Sequence, residues 1–139
     1  MRELTSHKVN GLNDAIYIGV MDEPGPGNAN HLYEVALLSD VPVPSEAASD
    51  GVTRRQVPVD GVGCVIRFQN GPIAESGFNG ISQEALLAIV EDRLLGFQSG
   101  PYACRENAIA LTKIQEAIMW LLKRTRDRMA RGVEGTSQK

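Results

Sequence analysis

The chain has 139 residues, 42% of them hydrophobic and 22% charged, with a formal net charge of −3. That length suits one compact unit, and no stretch reaches the roughly 18 apolar residues of a membrane span. The opening MRELTSHKVNGLNDA also lacks the apolar run of a signal peptide, so a soluble cytosolic protein is expected. The charge is unevenly spread: residues 1–100 carry 6 Lys/Arg against 13 Asp/Glu, whereas residues 101–139 carry 8 against 4. A basic end on an acidic chain favours a local site for a small anion over the broad basic face that DNA requires.

From residue 15 to about 80 the punctuation is that of β structure. AIYIGV (15–20) and HLYEVALL (31–38) are strand-like, and VGCVIRFQ (62–69) puts Val62, Cys64, Ile66 and Phe68 on one face by alternation. MDEPGPGNAN and SDVPVPSEAASDG are rich in Pro, Gly and Ser and are expected to be loops. A shorter strand is placed in VTRRQVPV, with the prolines at 42, 44 and 58 pointing to edge positions. Cys64 and Cys104 have no CxxC pairing and no histidine at ligand spacing, so both are expected to be buried free thiols.

After SGFNG the period changes from two to three and four. Ser82 is a candidate N-cap, and Leu86, Leu87, Ile89, Val90 and Leu94 recur at helical spacing until Gly96. A second helix is expected from about Arg105 to Arg131, with Leu111, Ile114, Ile118, Leu121 and Leu122 as its apolar stripe and Gly132 at C′. At 1.5 Å per residue it is about 40 Å long, roughly twice its partner, so part of it needs cover from the sheet or from another copy of the chain. The reading is thus a single α+β domain: a β-rich part over 1–80 forming an antiparallel sheet, an antiparallel helical hairpin over 81–131, a tail over 132–139, and self-association.

The hairpin corner, FQSGPYACREN, concentrates chemistry. Phe97 and Tyr102 bracket a Gly-Pro turn that would hold aromatic rings near the surface, where a ring can stack on a base. Asn107 offers both a donor and an acceptor for a base edge or ribose hydroxyl, and Arg105 and Glu106 are either helpers or surface groups. Near the far end of the long helix, KRTRDRMARG sets Arg124, Arg128 and Arg131 within about 60° of one another at 100° per residue. Guanidinium forks one turn apart suit a phosphate. The plainer readings are that the rings plug the end of the hairpin core and the arginines complement the helix dipole.

Phe97 and Arg124 lie about 25–30 Å apart by helix rise, so ring and arginine can meet one small molecule only if two chains pair antiparallel. A stacked base at about 1–3 kcal/mol and charged hydrogen bonds at about 1.5–3 each give roughly 4–9 kcal/mol, short of the 12 or so needed for nanomolar capture. A composite pocket between subunits would supply the rest.

Catalytic signatures are missing: there is no GxSxG, HExxH, Walker A or strand-to-helix GxGxxG. His7 and His31 read as surface side chains without a nucleophile to serve. Asp22 and Glu23 lie in a segment whose Pro and Gly content marks a flexible loop rather than a metal site.

Residues 77–136, GFNGISQEALLAIVEDRLLGFQSGPYACRENAIALTKIQEAIMWLLKRTRDRMARGVEGT, resemble the helical hairpin of the phage Thoeris anti-defence sponge family of the first-described type. A related hairpin occurs in phage anti-CBASS cyclic-nucleotide sponges. The resemblance implies a protein of the host bacterial cytoplasm without catalytic residues, cofactor or metal. It would bind the glycocyclic ADP-ribose signals of Thoeris TIR enzymes and hold them from their effector, with no bond broken. It further implies a homodimer assembling into a hexamer, with a separate pocket for CBASS cyclic di- or trinucleotides in some members. Carried over by position, the family's aromatic falls on Phe97, its asparagine on Asn107 and its phosphate-facing arginines on Arg124 and Arg128; Tyr102 joins them from the corner. The competing functions are a hydrolase that degrades a nucleotide signal, and a helical oligomerisation module without a ligand.

Overall fold

A computed structural model describes residues 1–139. The chain divides into two compact units, residues 1–67 and residues 68–139, each described by itself.

The first unit is a four-stranded antiparallel sheet in the order β1 (Arg2–Glu3), β2 (Ile16–Val20), β3 (Leu32–Pro44), β4 (Val52–Arg67). A short helix, α1 (Gly11–Ala15), leads into β2. Register puts Ile16, Ile18 and Val20 opposite Leu37, Val35 and Tyr33 on one face, and Ile66 and Cys64 extend that face onto β4. Val20, at 1% exposure, is the buried apolar centre of that face, and Ala36, opposite Tyr17, is buried on the other.

β4 is continuous, yet its pairing has two segments. Ala36 pairs with Gly63 and Leu38 with Pro58, so residues 59–62 bulge out of the ladder. Gly63 closes the bulge at φ +119, where a Cβ would run into the Val35 carbonyl. The separate short strand expected in VTRRQVPV is the outer of these two segments.

Three expectations fail in this unit. Ser39–Pro44, expected as loop, continues β3 by pairing with Val57–Val52. Here β3 and β4 form a two-stranded ribbon, since β2 reaches only as far as Leu37. Pro42, Pro44 and Pro58 sit at ladder pairs of one parity, where an absent N–H deprives no neighbouring strand of a bond. The histidines are not surface groups: His31 is 9% exposed, and the His7 Nε2 lies 2.8 Å from the Ile16 carbonyl oxygen. Finally, Cys64 is an exposed thiol on β4, the outermost strand of the sheet.

The segment around Asp22 is also pinned. The carboxylate accepts from the His31 N–H at 2.9 Å and the Leu32 N–H at 3.2 Å, while the Asn30 side chain donates to the Asp22 carbonyl at 2.7 Å. Desolvation pushes the carboxyl pKa up, but the His31 and Leu32 N–H groups, then Asn30 and the His31 ring, outweigh it and hold it below its ordinary value.

The second unit is the helical hairpin. After the short α2 (Ile73–Ser76), the crossed bonds of Asn79 with Asn70, at 2.7 Å each way, lock the entry to α3 (Gln83–Gln98). The Ser82 hydroxyl caps α3 by accepting from the Ala85 N–H at 3.2 Å. The helix runs through Gly96 rather than stopping there, and closes where the Ser99 N–H bonds back to Leu95 and Gly96. The turn at 99–104 returns the chain as α4 (Arg105–Ala130), 26 residues long, which ends before Gly132 at φ +71. Cys104 is exposed, not buried, and its Sγ caps α4 by accepting from the Asn107 N–H at 3.4 Å. No helix is long and apolar enough to cross a membrane.

Candidate functional site

The less exposed positions of α4 are Asn107, Leu111, Ile114, Ile118, Leu121, Thr125 and Arg128, alternating by four and three, with Ala117 beside them. The stripe begins and ends on a polar residue; its part up to about Leu121 faces α3, where the Gln115 side chain donates to Glu91 at 3.4 Å, and its last turn is covered by the segment that follows the helix. The two polar ends are two of the expected site residues.

At the corner, the Phe97 ring is half-buried at the end of α3 and meets Tyr102 edge-on, with centroids 6.5 Å apart and planes at 85°. Tyr102 itself is 75% exposed. The Arg93 guanidinium carbon sits 5.0 Å from the Phe97 centroid, one turn earlier on α3. Sequence reasoning missed Arg93, although its spacing of four from Phe97 was the available signal. The Asn107 backbone is fixed by its bond to Cys104, while its side-chain amide has no partner within the chain. Phe97 and Tyr102 thus meet at the corner, and Asn107 sits in the first turn of α4 that follows it.

The other end of α4 holds two arginines one turn apart with opposite fates. Arg124 is exposed and makes no hydrogen bond or ion pair. Arg128 is 9% exposed and is folded into its own chain. Its Nε donates to the Glu134 carboxylate at 3.0 Å, one terminal nitrogen to the Gln138 carbonyl at 2.6 Å, and the other to the carbonyls of Val133 and Thr136 at 2.9 and 3.0 Å. Four of the five guanidinium N–H groups are thus committed to the segment that follows the helix. Arg131 is exposed and donates to the Lys139 carbonyl at 2.9 Å.

From Asn107 to Arg124 is about 26 Å of helix rise, so one hairpin holds the corner and the arginines apart. Between them α4 leaves Ile109, Met119 and Trp120 exposed, and α3 leaves Ile89, Val90 and Leu95 exposed. Trp120 precedes Arg124 by one turn on the same flank. Phe78, held out at 88% exposure from the locked entry loop, is a further aromatic that the alternation pattern did not single out.

Residues 60–126 match the family described as the Acb2/Tad1 hairpin domain, a span that contains Phe97, Tyr102, Asn107 and Arg124 and stops short of Arg128. The chain is 54% identical over 74 residues to "Thoeris anti-defense 1" of Bacillus phage SBSphiJ7, an alignment covering 53% of this chain and 52% of that protein. The chain thus spans about half the length of the curated relative it matches. The corner and the free arginine lie within residues 60–126, so the part of this chain that carries them is similar to the Acb2/Tad1 hairpin domain.

Proposed function

We propose that this protein is a phage anti-defence sponge that binds a glycocyclic ADP-ribose immune signal, made by Thoeris TIR enzymes, and releases it unchanged. The observation that carries this reading is the 54% identity to a protein named for Thoeris anti-defence, together with a family match spanning Phe97, Asn107 and Arg124. The chemistry is binding chemistry. Phe97 stacks on the adenine, the free Asn107 amide reads a base edge or ribose hydroxyl, and Arg124 presents a fork to the diphosphate. Arg128 adds the one N–H its own chain leaves over.

The site is composite: the corner of one chain lies beside the arginine end of another in a homodimer, and dimers assemble further into a hexamer. The exposed apolar residues along α3 and α4 supply the contact surface for that pairing. A separate pocket of the assembly accepts CBASS cyclic di- or trinucleotides, and the protein works in the host bacterial cytoplasm.

A thermal-shift panel of cyclised ADP-ribose isomers and cyclic oligonucleotides tests the ligand class, since a ligand at 100 times its Kd adds about 2.7 kcal/mol to native stability. The complex is then heated and the released ligand examined. Intact ligand at one equivalent per site supports sequestration; a hydrolysed product, or turnover beyond one equivalent, overturns it in favour of a hydrolase. No shift with any ligand leaves the helical oligomerisation module.

A further inference from the structure

We infer that the β3–β4 ribbon is a pairing edge held shut: its prolines and Asp50 withhold the outward N–H groups through which a strand of a second copy would add to it. The ribbon lies outside residues 60–126, and the inference stands apart from the sponge reading.

The ribbon has two open edges. Beyond Leu37 no β2 residue pairs with β3, and β4 is the outermost strand of the sheet. Two backbone bonds show which groups face outward. The Ser45 N–H donates to the Gly51 carbonyl at 2.8 Å, so the odd-numbered residues of β3 bond towards β4. The Met21 N–H donates to the Leu32 carbonyl at 2.9 Å, so the even-numbered residues face the side that β2 takes up earlier in the strand. Register then assigns Asp40, Pro42 and Pro44 to the open edge of β3, and Val52, Arg54, Gln56 and Pro58 to that of β4.

These positions are depleted of donors. Pro42, Pro44 and Pro58 have no N–H, and the Val52 N–H is taken by the Asp50 carboxylate at 3.0 Å. Asp40, Arg54 and Gln56 alone keep an outward N–H, two of them beside a charged side chain. An added antiparallel strand exchanges a pair of N–H···O bonds at every second residue, and a proline edge offers only the carbonyl half of each exchange. Where the prolines stop, the bulge at residues 59–62 breaks the β4 edge, with Gly61 at φ +73.

The ribbon has need of such closure. Val41, Val43 and Val52 are exposed at 39, 38 and 38%, and exposed valines on open strands are the composition that pairs edge to edge.

The test opens the edge in the full-length chain. Pro42→Ala with Pro44→Ala restores two outward donors on β3, and Asp50→Ala separately releases the Val52 N–H. Size is followed by light scattering over a concentration series, with the wild-type chain's own state as baseline. Both opened chains should grow several-fold beyond that baseline as concentration rises, with amide exchange at positions 42 and 44 of the double variant slowing in step. Val43→Ala is the control: it weakens the cross-strand pair with Thr53 but adds no donor, and should stay at baseline.

Opened chains that remain at baseline at every concentration overturn the inference. So does growth of Val43→Ala to the same extent, which would assign the assembly to loosened folding. Should the double variant fail to fold, Asp50→Ala decides alone by the same criterion. Proline placement checks the facing directly: Gln56→Pro removes an outward N–H and should leave folding and size unchanged, whereas Arg55→Pro removes one directed at β3 and should open the ribbon. Equal tolerance of the two would overturn the assignment of the edge.

Discussion

At the corner of the hairpin, Phe97, Tyr102 and Asn107 are held by backbone geometry and ring contacts, and the Asn107 amide is left without a partner. Seventeen residues further along α4, Arg124 is equally uncommitted, while Arg128 one turn on is spent on its own chain. Both ends use polar residues on or beside the less exposed stripe of α4. The difference teaches that a charged residue type does not reveal its task; the partners within the chain do. An arginine already satisfied by three carbonyls and a carboxylate stabilises, and an unpaired one recruits.

Substitutions at the two arginines break this comparison most sharply. Arg128→Ala deletes four charge-assisted bonds and should lower stability by about 2–3 kcal/mol in chemical or thermal unfolding. Arg124→Ala should change stability by less than about 0.5 kcal/mol. Its effect belongs to binding, where a lost charged contact of about 1.5–3 kcal/mol weakens affinity by roughly 10- to 150-fold. Equal stability losses at both positions would erase the distinction.

Smaller effects sharpen the corner. Ser82→Ala removes the cap that sets the start of α3 and should cost about 1 kcal/mol in unfolding, leaving binding intact. Arg93→Ala removes the cation beside the Phe97 ring and should cost about 0.5–1 kcal/mol. If Arg93 also meets the bound signal, affinity will fall further than stability does. The mildest test lies in the sheet unit. Because the folded Asp22 carboxyl titrates below its ordinary value, its stabilisation is full above the ordinary carboxylate pKa of about 4 and is lost as pH falls through the depressed one. Asp22→Asn should flatten that acid limb of stability against pH and leave neutral-pH ligand binding unchanged.

The hairpin was legible in the sequence because its signals are local. A serine before the first turn, apolar residues every three or four positions and a glycine after the last turn each act within a few residues. The positions of Phe97, Asn107, Arg124 and Arg128 on that frame followed from helical spacing. What Arg128 binds did not, since three of its four partners are backbone carbonyls, which have no residue signature.

The strand at Ser39–Pro44 was hidden for a related reason. Proline is excluded from central strands, but a two-stranded ribbon makes both strands edges, and the ladder parity makes the absent N–H groups harmless. The histidines and cysteines went the other way. His31 is buried beside Asp22, nine residues away, and Cys64 is exposed on the outermost strand, whose place in the sheet is set by pairing with residues remote in sequence.

A site shared between chains is the central claim, and subunit complementation tests it most directly. Phe97→Ala and Arg124→Ala chains carrying different tags are co-expressed, and mixed dimers are isolated through both tags. If the corner of one chain serves the arginine of its neighbour, each parent variant binds poorly alone, but the mixed dimer regains one intact site and about half the wild-type stoichiometry at wild-type affinity. Mixed dimers that bind no better than either parent would contradict the account.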